Sequence, residues 1–238
     1  LKTHQSSLLL PKLSSGVLIK RYKRFLADIL LDTGVIVTAH CPNSGSMTAC
    51  CEPGRRVYVS CHNDPRRKLK YTWELIEMPS SLVGINTLVP NRLVFQSLKA
   101  GILPEFKSYD SVKQEVKVGG HSRLDIVMTR GQDETCYMEI KNCTLVVDGI
   151  ACFPDAVTER GRKHLLLLRE LASAGHRCVM FFLIQRMDAK IFKPADHIDP
   201  AYGRELRSAD AAGVEILVYD VTLDLEKIRL GKALPYCL

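Results

Sequence analysis

The chain has 238 residues, 46% hydrophobic and 25% charged, a balance that supplies a buried core and excludes a disordered chain. Its longest uninterrupted apolar run, Cys178 to Ile184, falls far short of the roughly 20 residues that cross a bilayer. The formal charge of +7 is uneven: residues 1–90 hold 12 Lys and Arg against 6 Asp and Glu, whereas residues 91–238 hold 21 against 20. Excess positive charge on one module is the footprint of a phosphate-backbone binder, and equally of a solvated basic surface.

No basic stretch leading into an apolar core and cleavage site stands at the start of the chain, so the expected location is the cytoplasm, with no membrane partner. Nine cysteines at 41, 50, 51, 61, 136, 143, 152, 178 and 237 form no C-x-x-C pair. A metal site drawn from Cys41, Cys50, Cys51, Cys61 and His62 lacks regular spacing, and reduced, buried thiols are the better account.

Residues 1–13 read as a loose arm. Short β-rich runs follow at Gly16–Lys20, Phe25–Leu31, Val35–His40, Arg56–Cys61 and Tyr71–Glu77, with turns at Asp32-Thr33-Gly34, Pro53-Gly54 and Asn63-Asp64-Pro65. Five short strands in about 65 residues predict a small barrel, for which an OB-like fold is the natural candidate. A joint near Pro79-Ser80-Ser81 divides this module, residues 1–80, from a second one, residues 81–238.

The second module opens on a helix over Arg92 to Ala100, with Asn91 as its N-cap and Gly101 as its stop. Strands are predicted at Ser111–Val118, Ser122–Met128 and Cys136–Cys143, with a hairpin centred near Gln132. A helix over Thr158–Ala174, a strand over Cys178–Gln185, a helix over Pro200–Ala212 and a strand over Val214–Val221 complete the pattern. That order describes a mixed α/β sheet flanked by helices.

Alternation along the central hairpin suggests chemistry. Side chains two residues apart share a strand face. Leu124, Ile126 and Met128 are therefore expected to pack inward with Met138 and Ile140, leaving Asp125, Glu139 and Lys141 together on the other face. Asp125 would lie directly opposite Glu139, at the roughly 4.5–5.5 Å Cβ spacing of cross-strand neighbours. Two carboxylates at that spacing can share Mg²⁺ or Mn²⁺ and bring it to a phosphate oxygen, and a lysine beside them can hold an attacking water. Glu115 on the preceding strand could add a third metal ligand. Asp, about a dozen residues, then Glu-x-Lys is the signature of the restriction-endonuclease-like core, although the same pattern also arises from an ordinary solvated strand face.

Basic residues supply candidate nucleic-acid contacts. Lys20, Arg21, Lys23 and Arg24 interleave with Tyr22 and Phe25, and Arg66, Arg67 and Lys68 precede Tyr71 and Trp73, mixing phosphate contacts with rings that stack on bases. Arg160, Arg162, Lys163 and His164, with Asp155 and Glu159, crowd the start of the long helix, where backbone donors also suit a phosphate. The loop Asn43-Ser44-Gly45-Ser46-Met47-Thr48 can offer amides to phosphate or serve as a tight barrel loop.

Several stretches resemble one known family. They are Arg21–Asp28, Ala39–Met47, Tyr71–Leu75, Pro90–Leu93 and above all Phe153-Pro154-Asp155-Ala156-Val157-Thr158-Glu159-Arg160-Gly161-Arg162-Lys163-His164-Leu165. From about Val17 onward the chain resembles the sugar fermentation stimulation protein A family. The resemblance implies an N-terminal OB-like domain, a C-terminal restriction-endonuclease-like domain and DNA as partner, with Asp125, Glu139 and Lys141 matching the family's acidic pair and Glu-x-Lys. Family members commonly carry an acid after the Asn-Arg-Leu-Val stretch, where this chain has Phe95-Gln96, so any third ligand would have to be Glu115.

Two functions remain open on this evidence: a metal-dependent phosphodiesterase acting on DNA, and a non-catalytic DNA-binding regulator on the same scaffold. A small-metabolite enzyme is disfavoured by the absence of a P-loop or Rossmann glycine pattern. DNA binding is expected to be independent of sequence, because no helix-turn-helix recognition helix is evident.

Overall fold

The computed structural model describes residues 7–119, 122–131 and 134–238. The first strand, β1 (Ser7–Leu9), pairs antiparallel with the last, at Lys227–Arg229. The expected loose arm is therefore partly a strand, because Leu8 is buried among core residues that include Ile228 and Leu230. Residues 1–6 of that arm lie outside the described residues.

The barrel follows as β2 (Leu13–Tyr22), β3 (Leu26–Leu31), β4 (Ile36–His40), β5 (Arg56–Cys61) and β6 (Tyr71–Met78). A short parallel pairing of Ala39 with Tyr71 and His40 with Thr72 joins β4 to β6 and closes it. Its interior takes alternate residues, among them Leu18, Ile29, Val57, Val59 and Ile76, around Trp73, the one tryptophan of the sequence. The Trp73 Nε1 donates to the Leu75 carbonyl, so the indole is buried without losing its hydrogen bond. Asp32-Thr33-Gly34 makes the expected turn, with Gly34 at φ 83 where a side chain would be strained. A sixth strand, β7 (Ser81–Gly84), pairs with β6, carrying the sheet past the expected joint.

Helix α1 (Val89–Lys99) leads into a single 3₁₀ turn at Pro104–Phe106. Then come β8 (Ser111–Val118), β9 (Ser122–Arg130), β10 (Glu134–Cys143), β11 (Leu145–Val147), β12 (Ile150–Phe153), α2 (Glu159–Ser173), β13 (Arg177–Ile184), β14 (Ile191–Pro194), α3 (Pro200–Ala211), β15 (Glu215–Leu223) and β16 (Lys227–Ala233). The large sheet runs β1-β16-β15-β13-β10-β9-β8, parallel at β10–β13 and β13–β15 and antiparallel elsewhere. A small sheet, β11-β12-β14, stands beside it.

The apolar run of β13 explains the layering. Val179, Phe181 and Leu183 pack in one core with Leu93 and Leu98 of α1, whereas Cys178, Met180, Phe182 and Ile184 pack in another with Leu165 of α2 and Leu206 of α3. A strand covered on both faces must be apolar at every position. Each such large side chain contributes about 1.5–3 kcal/mol of burial free energy, so β13 is the fixed floor from which β10 projects its polar residues.

Asn91 is not the expected N-cap. The cap position is Leu88, and Pro90 stands in the first turn, where its missing N–H costs nothing. Thr158 caps α2, its hydroxyl accepting the Gly161 amide at 3.0 Å. The expected hairpin centre at Gln132 lies outside the described residues.

Candidate active site between the barrel and the sheet

On β9 and β10 the last regular pair is Ile126 with Met138, which brings Asp125 and Glu139 next to one another in the expected register. Beyond that point the ladder changes. Oδ2 of Asp125 accepts the Ile140 amide at 2.8 Å, taking the place of a strand-to-strand bond. On the other side the β8–β9 register omits Glu115 and Asp125, and Glu115 has φ 52. The break overturns one expectation. Leu124 packs in the α2/α3 core while Ile126 and Met128 pack in the α1 core, because the interrupted pairing lets the strand change face at Asp125.

Glu139 stands beside Met180 of β13, on the α2 side of the sheet, and is 2% exposed. Its Oε1 accepts from Lys141 Nζ at 2.7 Å and is hydrogen-bonded to His164 Nδ1; Lys141 and His164 are themselves 3.2 Å apart. The other oxygen, Oε2, is buried and has no hydrogen-bond partner among the described residues. Asp125 Oδ1 accepts from Asn91 Nδ2 at 2.7 Å.

The electrostatics separate the two carboxylates. Burial, followed by the charge of Glu139, pushes the Asp125 carboxyl up to about 6, against the pull of the Ile140 amide, Lys141 and Asn91. Burial also pushes Glu139 up. The His164 hydrogen bond and the Lys141 ammonium outweigh it and hold Glu139 below the usual carboxylate range.

Around the pair lies an open cavity of about 540 Å³ between the two modules. Arg24, Asn43, Ser44 and Gly45 come to it from the barrel, and Thr158, Arg160 and His164 from the start of α2. Glu115 lines the same cavity, but among the described residues no group of three or more Asp, Glu, His or Cys is gathered closely enough to hold a metal unaided.

The barrel wall is held in place by residues that the sequence suggested for other work. Arg21 donates to the carbonyls of Arg24, Asn43, Gly45 and Ser46 at 2.8–3.2 Å. Its guanidinium is therefore spent on the loop and is not a free phosphate contact. Asp155 Oδ2 accepts the Met47 amide at 3.0 Å, and its carbonyl accepts from the Ser46 hydroxyl at 2.5 Å. The Gly45 amide is likewise taken, by Asn43 Oδ1, so the loop serves mainly as a strut. Gly45 has no room for a side chain, since an added Cβ would stand 2.8 Å from Asp155 Cγ and closer still to both oxygens.

The remaining basic candidates are dispersed. Lys20 lies 3.6 Å from Asp28 and over the Tyr22 ring, and the Tyr22 hydroxyl also reaches Asp28. Lys23 forms the β2–β3 turn at φ 47. Arg66 makes a bidentate pair with Asp64, and Lys68 is exposed nearby. Arg67 donates to Thr72 and lines a different cavity. Arg162 and Lys163 face a groove with Ala201 and Glu205. Only Arg24 and Arg160 of these candidates stand at the carboxylate cavity. Asn91 and His164 are the site residues whose contacts the sequence did not reveal. The available signal for His164 was its spacing with Gly161, Leu165 and Leu168, which marks the buried face of α2.

The comparisons with known proteins agree with this architecture. The SfsA N-terminal OB domain matches residues 19–85, and the Sugar fermentation stimulation protein RE domain matches residues 88–227. A sugar fermentation stimulation protein homolog of Geotalea daltonii is 50% identical over 230 residues, covering 97% of this chain and 99% of that one. The homolog of Geobacter sulfurreducens is 51% identical over 229 residues, covering 96% and 98%. Among solved structures, Pyrococcus furiosus SfsA in complex with Ca²⁺ superposes with a TM-score of 0.88 at 25% identity, covering 97% of this chain and 98% of that one. With both domains matched in order and relatives of the same length sharing half their residues, the chain belongs to the sugar fermentation stimulation protein family.

Proposed function

We propose that this protein binds DNA in the cleft between barrel and sheet and hydrolyses a phosphodiester there with a divalent cation, Mg²⁺ or Mn²⁺. One observation carries the reading. Glu139 presents a buried oxygen with no hydrogen-bond partner among the described residues, beside a second carboxylate whose ionisation is resisted by burial and by the charge of Glu139. Leaving such an acceptor unpaired costs about 1–3 kcal/mol. A hard cation favours carboxylate oxygens and would relieve both conditions. The donor set therefore fits a divalent ion held by Asp125 and Glu139, with Glu115 at the same cavity. The Pyrococcus furiosus relative was solved with Ca²⁺, a cation of the same chemical class.

When bound, the cation supplies neutralisation of the charge that develops on phosphate in the transition state. The chain's own residues do the rest. Asn91 and the Ile140 amide hold the Asp125 carboxylate in one orientation, and Lys141 with His164 holds Glu139. Lys141, beside Glu139, would stabilise the negative charge that develops on the phosphate oxygens. Arg24 and Arg160, on opposite walls, place the backbone by its phosphates and read no base.

The test is incubation with supercoiled plasmid and short single- and double-stranded DNA under Mg²⁺, Mn²⁺ or EDTA, beside Glu139→Ala and Lys141→Ala. Metal-dependent nicking abolished by both substitutions is the expected result. DNA binding with no cleavage under any condition would leave a non-catalytic DNA-binding regulator on a nuclease-like scaffold.

A further inference from the structure

A second cavity, of about 520 Å³, shares Leu88 with the carboxylate cavity. That size is within the roughly 300–1,000 Å³ of small-ligand sites. Leu88 lines both cavities and is 66% exposed.

The second cavity carries charge of both signs. Arg67 and Arg92 line it, and among the described residues neither has a carboxylate at ion-pair distance. Glu74 lines it as well, 5% exposed and likewise without a cationic partner among the described residues. Ser60 Oγ donates to Glu74 Oε1 at 2.6 Å, and Asn86 Nδ2 donates to Oε2 at 2.8 Å. Each carboxylate oxygen keeps one further lone-pair site. Because Ser60 gives its only proton to Glu74, the His62 Nε2 at 2.9 Å must be the donor to Ser60, which leaves His62 Nδ1 for another partner. Leu8, Leu10 and Val89 add apolar lining.

A ligand complementary to this lining carries an anionic group, a flat apolar part and a hydrogen-bond donor. We infer that this cavity receives one nucleotide unit, with the phosphate toward Arg67 and Arg92 and the base edge toward Glu74. In a DNA strand it is a base turned out of the stack beside the Leu88 wedge; free in solution it is a nucleoside monophosphate. Apolar side chains inserted at base steps unstack them at a cost of a few kcal/mol, repaid by contacts made to the displaced base. The strand-borne form rests on the DNA-binding reading above, whereas the pocket's fit to a nucleotide does not. A carboxylate accepts from exocyclic amino groups, so cytosine, adenine and guanine bind better than thymine.

Two measurements on the full chain test this, both in EDTA so that no cleavage intervenes. The first titrates dCMP and dTMP against the wild type, Arg92→Ala and Glu74→Gln by calorimetry. Arg92 and Leu88 are exposed, so their substitution does not threaten folding. The expected result is dCMP binding preferred over dTMP and weakened about tenfold or more by Arg92→Ala. The second follows fluorescence of 2-aminopurine in a duplex, with bulk binding read by anisotropy. A rise on binding that Leu88→Ala removes, with anisotropy nearly unchanged, is expected. Either positive result upholds the nucleotide pocket and identifies the source. DNA binding with no fluorescence change and no nucleotide binding overturns the pocket while leaving the function above intact. Absence of both DNA and nucleotide binding overturns the two together.

Discussion

The side-chain amide of Asn91, in the first turn of α1, donates to Oδ1 of Asp125 at 2.7 Å and ties that helix to the carboxylate pair. The Asn91 bond and the Ile140 amide are the two hydrogen bonds that favour ionised Asp125, and burial and Glu139 oppose them. Asn91→Ala removes one. The Asp125 carboxyl should then titrate higher, and the pH at which a divalent cation begins to bind should rise with it. A pH series of Mn²⁺ titrations on wild type and variant measures that displacement, and identical onsets would show that Asn91 does not act on Asp125.

The Asp125 carboxyl has a further consequence for stability. Its folded-state value, about 6, lies above the ordinary value of 3.8. A raised value stabilises the fold fully at low pH, and that stability is lost as pH climbs from about 4 through about 6. The difference corresponds to about 3 kcal/mol. Glu139, shifted the other way, has its contribution complete above the ordinary carboxylate range and changes little in that window. In metal-free buffer the wild type should therefore lose stability relative to Asp125→Asn between pH 5 and 7. Urea titrations at both pH values measure the difference.

Lys141 and His164 both reach Oε1 of Glu139. Lys141→Met removes the ammonium while keeping the stem, so the buried carboxylate loses its main counter-charge and the reacting phosphate loses a donor. Cleavage should fall by about 100-fold or more, with DNA affinity in EDTA changed by less than about threefold. An equal loss of both would mean that Lys141 serves binding alone.

The basic residues divide by position. Arg24 and Arg160 line the carboxylate cavity, whereas Arg66 is held in a bidentate pair by Asp64 two residues away. Alanine at Arg24 or Arg160 should weaken DNA binding and reduce the slope of log affinity against log salt by about one. Arg66→Ala should leave both nearly unchanged. Anisotropy titrations at several salt concentrations separate the three variants.

Gly45→Ala tests the strut between barrel and sheet. The added methyl meets the Asp155 carboxylate, which must move and release the Met47 amide. Overpacking of this kind typically costs 1–3 kcal/mol, and cleavage should drop with it because the Arg24 wall is displaced. Thermal denaturation beside the cleavage assay distinguishes this from a change confined to the site.

Much of this was legible in the chain. The barrel strands announced themselves by β-branched runs between turn residues, and the α2 and α3 helices by their periodicity and closing glycines. Asp125, Glu139 and Lys141 followed from period-two alternation, which holds along β10 and fails on β9. There the Asp125 carboxylate replaces a backbone acceptor, a substitution no alternation rule contains, and Leu124 consequently changes core. The three- and four-residue strands β1, β7, β11, β12 and β14 are too short to show a period, so long-range pairing alone defines them. The bracing contacts of Arg21 and Asp155 were not legible, for a related reason. Both belong to a contact between distant segments, Asn43–Met47 and Phe153–Val157, and charge pattern cannot distinguish a residue that braces a loop from one that waits for a ligand.

The central claim is that Asp125 and Glu139 together hold a divalent cation. Calorimetric titration of Mn²⁺ into the metal-free protein at pH 7.5, for wild type, Asp125→Asn and Glu139→Gln, tests it most directly. One site in the wild type, weakened at least about tenfold by either substitution, is the expected result. Equal stoichiometry and affinity in all three proteins would contradict the assignment and place the cation elsewhere.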